Sequence, residues 1–141
     1  MTISQARDEM LSVFTAAWEG DPTSAPVPVL YPDRAQEIPT QGPWARARVQ
    51  HNASAQVTLS GEAGARRFRR TGVVSVEIFT PTGDGLTLSD QLAMIASRAF
   101  EGVTTEPGRV IFRNVRVTEA GQDGAWHKTD VLADFEYDEV R

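Results

Sequence analysis

The chain has 141 residues and no cysteine, which excludes disulfide stapling, thiolate nucleophiles and cysteine-ligated metal sites. Histidine is scarce as well. His51 and His127 are the only two, they are far apart, and neither sits beside a carboxylate pattern, so no metal centre, cofactor site or catalytic histidine is expected. Long apolar runs are missing too. Nothing approaches the roughly 20 residues of a membrane-spanning helix, and Met1-Thr2-Ile3-Ser4-Gln5 has neither the basic region nor the apolar stretch of a secretory signal. A cytoplasmic protein without a membrane partner is expected. Gly83-Asp84-Gly85 follows a strand pattern, but without the glycine spacing and lysine of a phosphate loop it reads as a turn.

What is present describes an ordinary globular domain. Hydrophobic residues make up 40% of the chain and charged residues 23%, enough for one core and one domain spanning residues 1–141. Ala6, Met10, Val13, Phe14, Ala17 and Trp18 recur at helical spacing, with Thr2 and Gln5 placed as a capping box, Asp8 and Glu9 suited to the positive helix end, and Gly20 as the stop. Between residues 20 and 43 the chain carries Pro22, Pro26, Pro28, Pro32, Pro39 and Pro43, which leave room for nothing longer than a short edge strand at 27–31. A proline-rich connection of this length points to an arm that contacts a neighbour.

Alternation of polar and apolar residues predicts a strand over 44–51, a further extended stretch at 56–60, and a turn at Gly61-Glu62-Ala63-Gly64. A strand over 71–80 near the sheet centre follows, rich in β-branched residues. Leu88, Leu92, Ile95, Ala96 and Ala99 mark a second amphipathic helix, capped by Thr87 or Ser89 and closed by Gly102. Strands at 109–118 and 126–137, joined by a Gly- and Asp-rich loop at 119–124, complete the pattern. The order implies an α+β domain: an antiparallel sheet covered on one face by two helices, with a long Pro-rich loop.

The feature that stands out is Arg66-Arg67-Phe68-Arg69-Arg70, four guanidinium groups in five residues of a chain whose net charge is −5. Such a block expects an anion. Nucleic acid would favour a basic domain with interleaved aromatics, which this chain is not. A solvated block without a partner is electrostatically costly. Subunit pairing fits better: the arginines lie in one part of the sequence, and Asp130, Asp134, Glu136, Asp138 and Glu139 in another. One surface would then meet a different surface of the next copy, the geometry that closes rings. Arg66, Arg67, Arg69, Arg70, Asp134, Glu136 and Asp138 are the expected interface residues.

The stretch from Arg66-Arg67-Phe68-Arg69-Arg70 through Thr71-Gly72-Val73-Val74-Ser75-Val76-Glu77-Ile78-Phe79-Thr80 to Pro81-Thr82-Gly83-Asp84-Gly85 resembles the tail terminator, or tail completion, proteins of long-tailed bacteriophages. Val27-Pro28-Val29-Leu30-Tyr31, Trp44-Ala45-Arg46-Ala47-Arg48-Val49 and the closing strand from Gly124-Ala125-Trp126-His127 to Phe135-Glu136-Tyr137 extend the likeness over nearly the whole chain. The resemblance implies a structural virion protein without catalysis or cofactor. It would form a ring, generally a hexamer, that caps the tail tube and offers a surface to the head or neck connector. DNA would pass through the lumen unread, and the protein would reside in the virion tail after assembly in the host cytoplasm. Another head-tail connector or neck ring protein is the nearest alternative, since fold does not fix function. An Arg-rich module binding nucleic acid or another anion is the alternative from a different class.

Overall fold

The computed structural model describes residues 1–32, 37–56, 66–83 and 85–140. Helix α1 (Ile3–Glu19) starts where the sequence predicts. The Gln5 amide donates to Thr2 Oγ1 at 3.1 Å, and the Thr2 amide donates back to Gln5 Oε1 at 2.9 Å, so two orphan helix donors satisfy each other. Asp8 and Glu9 miss the first turn, which contains no acidic residue. Their effect on the macrodipole is lost, because it decays within one turn.

Gly20 caps the helix, and the chain beyond is tied back to α1. Ser24 Oγ donates to the Trp18 carbonyl at 2.6 Å, and Trp18 Nε1 donates to the Val27 carbonyl at 3.0 Å. The prolines leave room for β1 (Val29–Leu30) only, which lies parallel to the next strand opposite Ala45 and Arg46. Tyr31 closes the segment with a hydroxyl contact to Thr15.

Four longer elements are antiparallel strands, β2 (Trp44–Gln56), β3 (Arg67–Pro81), β4 (Ile111–Asp123) and β5 (Trp126–Val140); α2 (Thr87–Phe100) lies between β3 and β4. The sheet order is β1-β2-β3-β5-β4. Four strands outrun their sequence patterns, β5 by the three residues from Asp138 to Val140. β2 continues past His51 through a bulge to Gln56, β4 runs on to Asp123, leaving Gly124 and Ala125 as the hairpin turn, and β3 begins four residues earlier than 71. The expected stretch at 57–60, the turn at Gly61-Glu62-Ala63-Gly64 and Asp84 lie outside the described residues.

Side-chain alternation gives the sheet two unlike faces. Val74, Val76 and Ile78 of β3, Val131, Ala133 and Phe135 of β5, and Ala45, Ala47 and Val49 of β2 are buried under the helices. They meet Ala6, Met10, Phe14 and Trp18 of α1 and Leu92, Ala96 and Phe100 of α2. Phe14 stacks on Phe100 with ring centroids 6.2 Å apart. Each large side chain buried here contributes about 1.5–3 kcal/mol. α2 begins without a side-chain cap: its N-cap is Leu86, and Ser89 Oγ instead donates to the Leu86 carbonyl. Gly102, at φ +67°, follows the C-cap Glu101.

Gly72 shows how tightly this core closes. A methyl group there would collide with the Gln50 carbonyl oxygen and come within 2.6 Å of the Phe135 ring, and neither backbone nor packed ring can retreat. Gly72→Ala should cost about 1–3 kcal/mol, read as a lower midpoint in urea unfolding followed by circular dichroism.

Candidate assembly surface

The arginine block does not lead into a strand; most of it lies within one. Because β3 starts at Arg67, successive side chains leave opposite faces. Arg67 and Arg69 stand on the open face, whereas Arg70 points to the helix-covered face. Sequence neighbours are thereby separated. Antiparallel pairing then sets the block against β5, with Arg69 opposite Asp138 and Arg70 opposite Tyr137.

The expected anions are therefore found within the same protomer. Arg69 Nε lies 3.4 Å and Arg67 Nε 3.7 Å from Asp138. Arg70 Nε lies 3.1 Å from Glu139, the two side chains only 15% and 14% exposed. Arg113 of β4 meets Glu136 at 2.8 Å, and Arg116 meets Asp134 at 3.1 Å. The two charged segments read from the sequence are brought together, but as cross-strand ladders of one sheet rather than as two remote patches. Exposed pairs of this kind contribute about 0–1 kcal/mol each.

Depth distinguishes the partners. Arg113 is 68% exposed and Glu136 26%; Arg67 and Arg69 are 56% and 49% exposed and Asp138 34%. The guanidinium groups ride above carboxylates sunk toward the sheet. An acidic chain thus presents a cationic outer layer here.

Sequence reasoning missed three members of this corner. Arg109, Ile111 and Val140 join Arg67, Arg69 and Asp138 around an open concavity of about 490 Å³. Ile111 and Val140 are exposed apolar side chains, and among the described residues the Arg109 guanidinium makes no ion pair. Its loop is held from α1: Glu9 Oε1 accepts from Thr105 Oγ1 at 2.8 Å and from the Gly108 amide at 2.9 Å, while Thr105 Oγ1 accepts from the Val110 amide. The Pro107-Gly108 turn signal was in the sequence. That the turn returns to the arginine block is a tertiary fact.

Farther along the open face, Glu77 gathers Arg46 Nε at 2.9 Å, Arg48 Nε at 3.4 Å and Lys128 Nζ at 2.9 Å. Burial pushes the Glu77 carboxyl up, but hydrogen bonds and charge from Arg46 and Lys128 outweigh it and hold it below the usual carboxylate range. The same contact raises Lys128, and burial raises Asp130. Trp44 stacks on Phe79 at 4.1 Å beside this ladder, with Trp126 edge-on. Among the described residues no three His, Asp or Glu side chains are grouped to hold a metal ion.

On the helix-covered face His51 Nε2 and the Tyr137 hydroxyl are 2.7 Å apart. Burial, then the charges of Arg7 and Arg70, lower the His51 pKa below the ordinary 6.5. Nothing in this pairing resembles a nucleophile with its base. The Tyr137 hydroxyl is raised by burial.

A family model described as phage tail terminator protein matches residues 2–133. A solved structure of another protein, 19% identical, superposes with a TM-score of 0.73 over 97% of this chain and 96% of that one, a likeness of fold. No curated protein matches the chain.

Glu77→Gln would leave Arg46 and Lys128 facing a neutral group and should cost about 1–3 kcal/mol, measurable by urea unfolding at pH 7. His51 gives a pH signature. Its folded pKa is depressed, so the unfolded chain takes up the proton first. The stability it supports is complete above pH 6.5 and is lost as pH falls through its folded value. Between pH 7.5 and 5.5 the wild type should lose more unfolding free energy than His51→Gln.

Proposed function

Since the chain belongs to the phage tail terminator protein family, with a structural role in the phage tail, we propose that it assembles as a homo-oligomeric ring that caps the tail tube and ends its elongation. The ring, a hexamer in this reading, then presents a surface to the head or neck connector while DNA passes through its lumen. The observation that carries the reading is the family match, which reaches from the cap of α1 to Ala133 in the middle of β5 and so takes in both helices and the first four strands. The architecture suits the role: a two-layer protomer with a packed core supplies rigidity.

The corner around Arg67 and Arg69 supports a subunit contact. Its pairs with Asp138 are long and exposed, and such pairs exchange partners at little cost. Arg66, just outside β3, extends the same surface, and Asp134, Glu136 and Asp138 supply its carboxylates. Arg70 has a different place, almost buried against Glu139 within the protomer, and its contribution to the contact is to hold β3 and β5 in register.

Light scattering and negative-stain microscopy test the reading directly. The wild type should form discrete rings that stack on the ends of purified tail tubes, and a strictly monomeric protein at high concentration would refute it. Arg67→Glu/Arg69→Glu should give a folded protein with wild-type circular dichroism that no longer forms rings.

A further inference from the structure

The proposed ring requires a second surface to meet the cationic corner, and we infer that this surface is the groove along the outer side of α1 of the next copy. The inference rests on the ring reading above and names the two faces that touch.

The groove, of about 570 Å³, lies between α1 and Tyr31, with Asp8 and Glu19 at its ends and Leu11 and Thr15 between them. Among the described residues neither Asp8 nor Glu19 has an ion-pair partner. Among the described residues Arg109 is likewise without an ion-pair partner. Unpaired charges of opposite sign therefore occupy two different surfaces of one molecule.

Spacing agrees as well as sign. Eleven residues of helix separate Asp8 from Glu19, about 16 Å at 1.5 Å per residue. Arg109 and Arg113 are four residues apart along nearly extended chain, about 13 Å, and the difference is well within the reach of an arginine side chain. Each surface reads charge, apolar, charge: Arg109, Ile111 and Arg113 on one, and Asp8, Leu11 and Glu19 on the other. Ile111 would pack on Leu11 and Tyr31, while Arg109 and the outermost guanidinium, Arg113, take a carboxylate each. Arg113 can do so without abandoning Glu136, because a guanidinium has five donors.

Topology makes the contact heterologous. β1 and β4 are the opposite edges of the sheet; Tyr31, which follows β1, walls the groove, and Arg113 lies in β4, while Glu9 turns away from the groove to the Gly108 loop. The two surfaces share no residue. A contact between unlike surfaces repeats from copy to copy and closes when its rotation divides a full turn.

The experiment is a charge-swap series on the full chain, read by sedimentation velocity and light scattering, with thermal melts to confirm folding. Arg109→Glu alone, and Asp8→Arg/Glu19→Arg alone, should each weaken self-association about tenfold or more, and 0.5 M salt should weaken the wild type in the same direction. The neutral pair Asp8→Asn/Glu19→Gln should give a smaller loss and covers the case in which the reversals misfold. Combining Arg109→Glu/Arg113→Glu with Asp8→Arg/Glu19→Arg in one chain, so that both charge pairs are swapped, should restore assembly. Rings that persist unchanged in both single-surface variants would overturn this pairing and leave the ring reading standing. Loss in both without recovery in the combination would also overturn it, since the two surfaces would then not face each other. A wild type that never self-associates would remove the ring and the pairing together.

Discussion

The molecule depends on one register. All fifteen residues of β3 pair with the fifteen of β5 without a bulge, from Arg67 opposite Val140 to Pro81 opposite Trp126. A slip of one residue would turn Val131, Ala133 and Phe135 out of the core and separate Arg69 from Asp138 and Arg70 from Glu139. Apolar contacts and cross-strand ion pairs therefore specify the same alignment. The arginine block is in the first instance part of how the sheet is assembled.

Much of the fold was legible because helices and turns are written locally. Thr2 and Gln5 announced α1, the spacing of Met10, Phe14 and Trp18 gave its buried face, and Gly102 marked the end of α2. Strand ends were harder. Arginine and glutamate carry little strand signal, so β3 was read from Thr71 although cross-strand carboxylates make Arg67 to Arg70 good strand residues in this context. The same cause hid the last three residues of β5, whereas the far part of β4 was hidden by the glycine and aspartate that read as a hairpin loop at 119–124. Asp8 and Glu9 failed for another reason: acidic residues near a helix start were credited to the dipole, whereas Glu9 is committed to Thr105 and Gly108.

The candidate site was half legible. Its charges could be seen in the sequence; their distribution could not, because alternation along a strand divides neighbours between faces and pairing between strands joins residues about seventy apart. Arg109 illustrates the limit. A single arginine after Pro107 and Gly108 is unremarkable until the sheet brings it beside Arg67 and Arg69. Net charge was also a poor guide to the surface: what a partner meets is set by depth, and around Asp138 and Glu136 the carboxylates lie beneath the guanidinium groups.

Glu9 ties these observations to mechanics. Its carboxylate leaves α1 one residue after Asp8 and ends on Gly108, one residue before Arg109, so a single side chain spans from the helix to the loop beside the β4 edge. A displacement of α1 is therefore passed through this strut directly to the loop that carries Arg109.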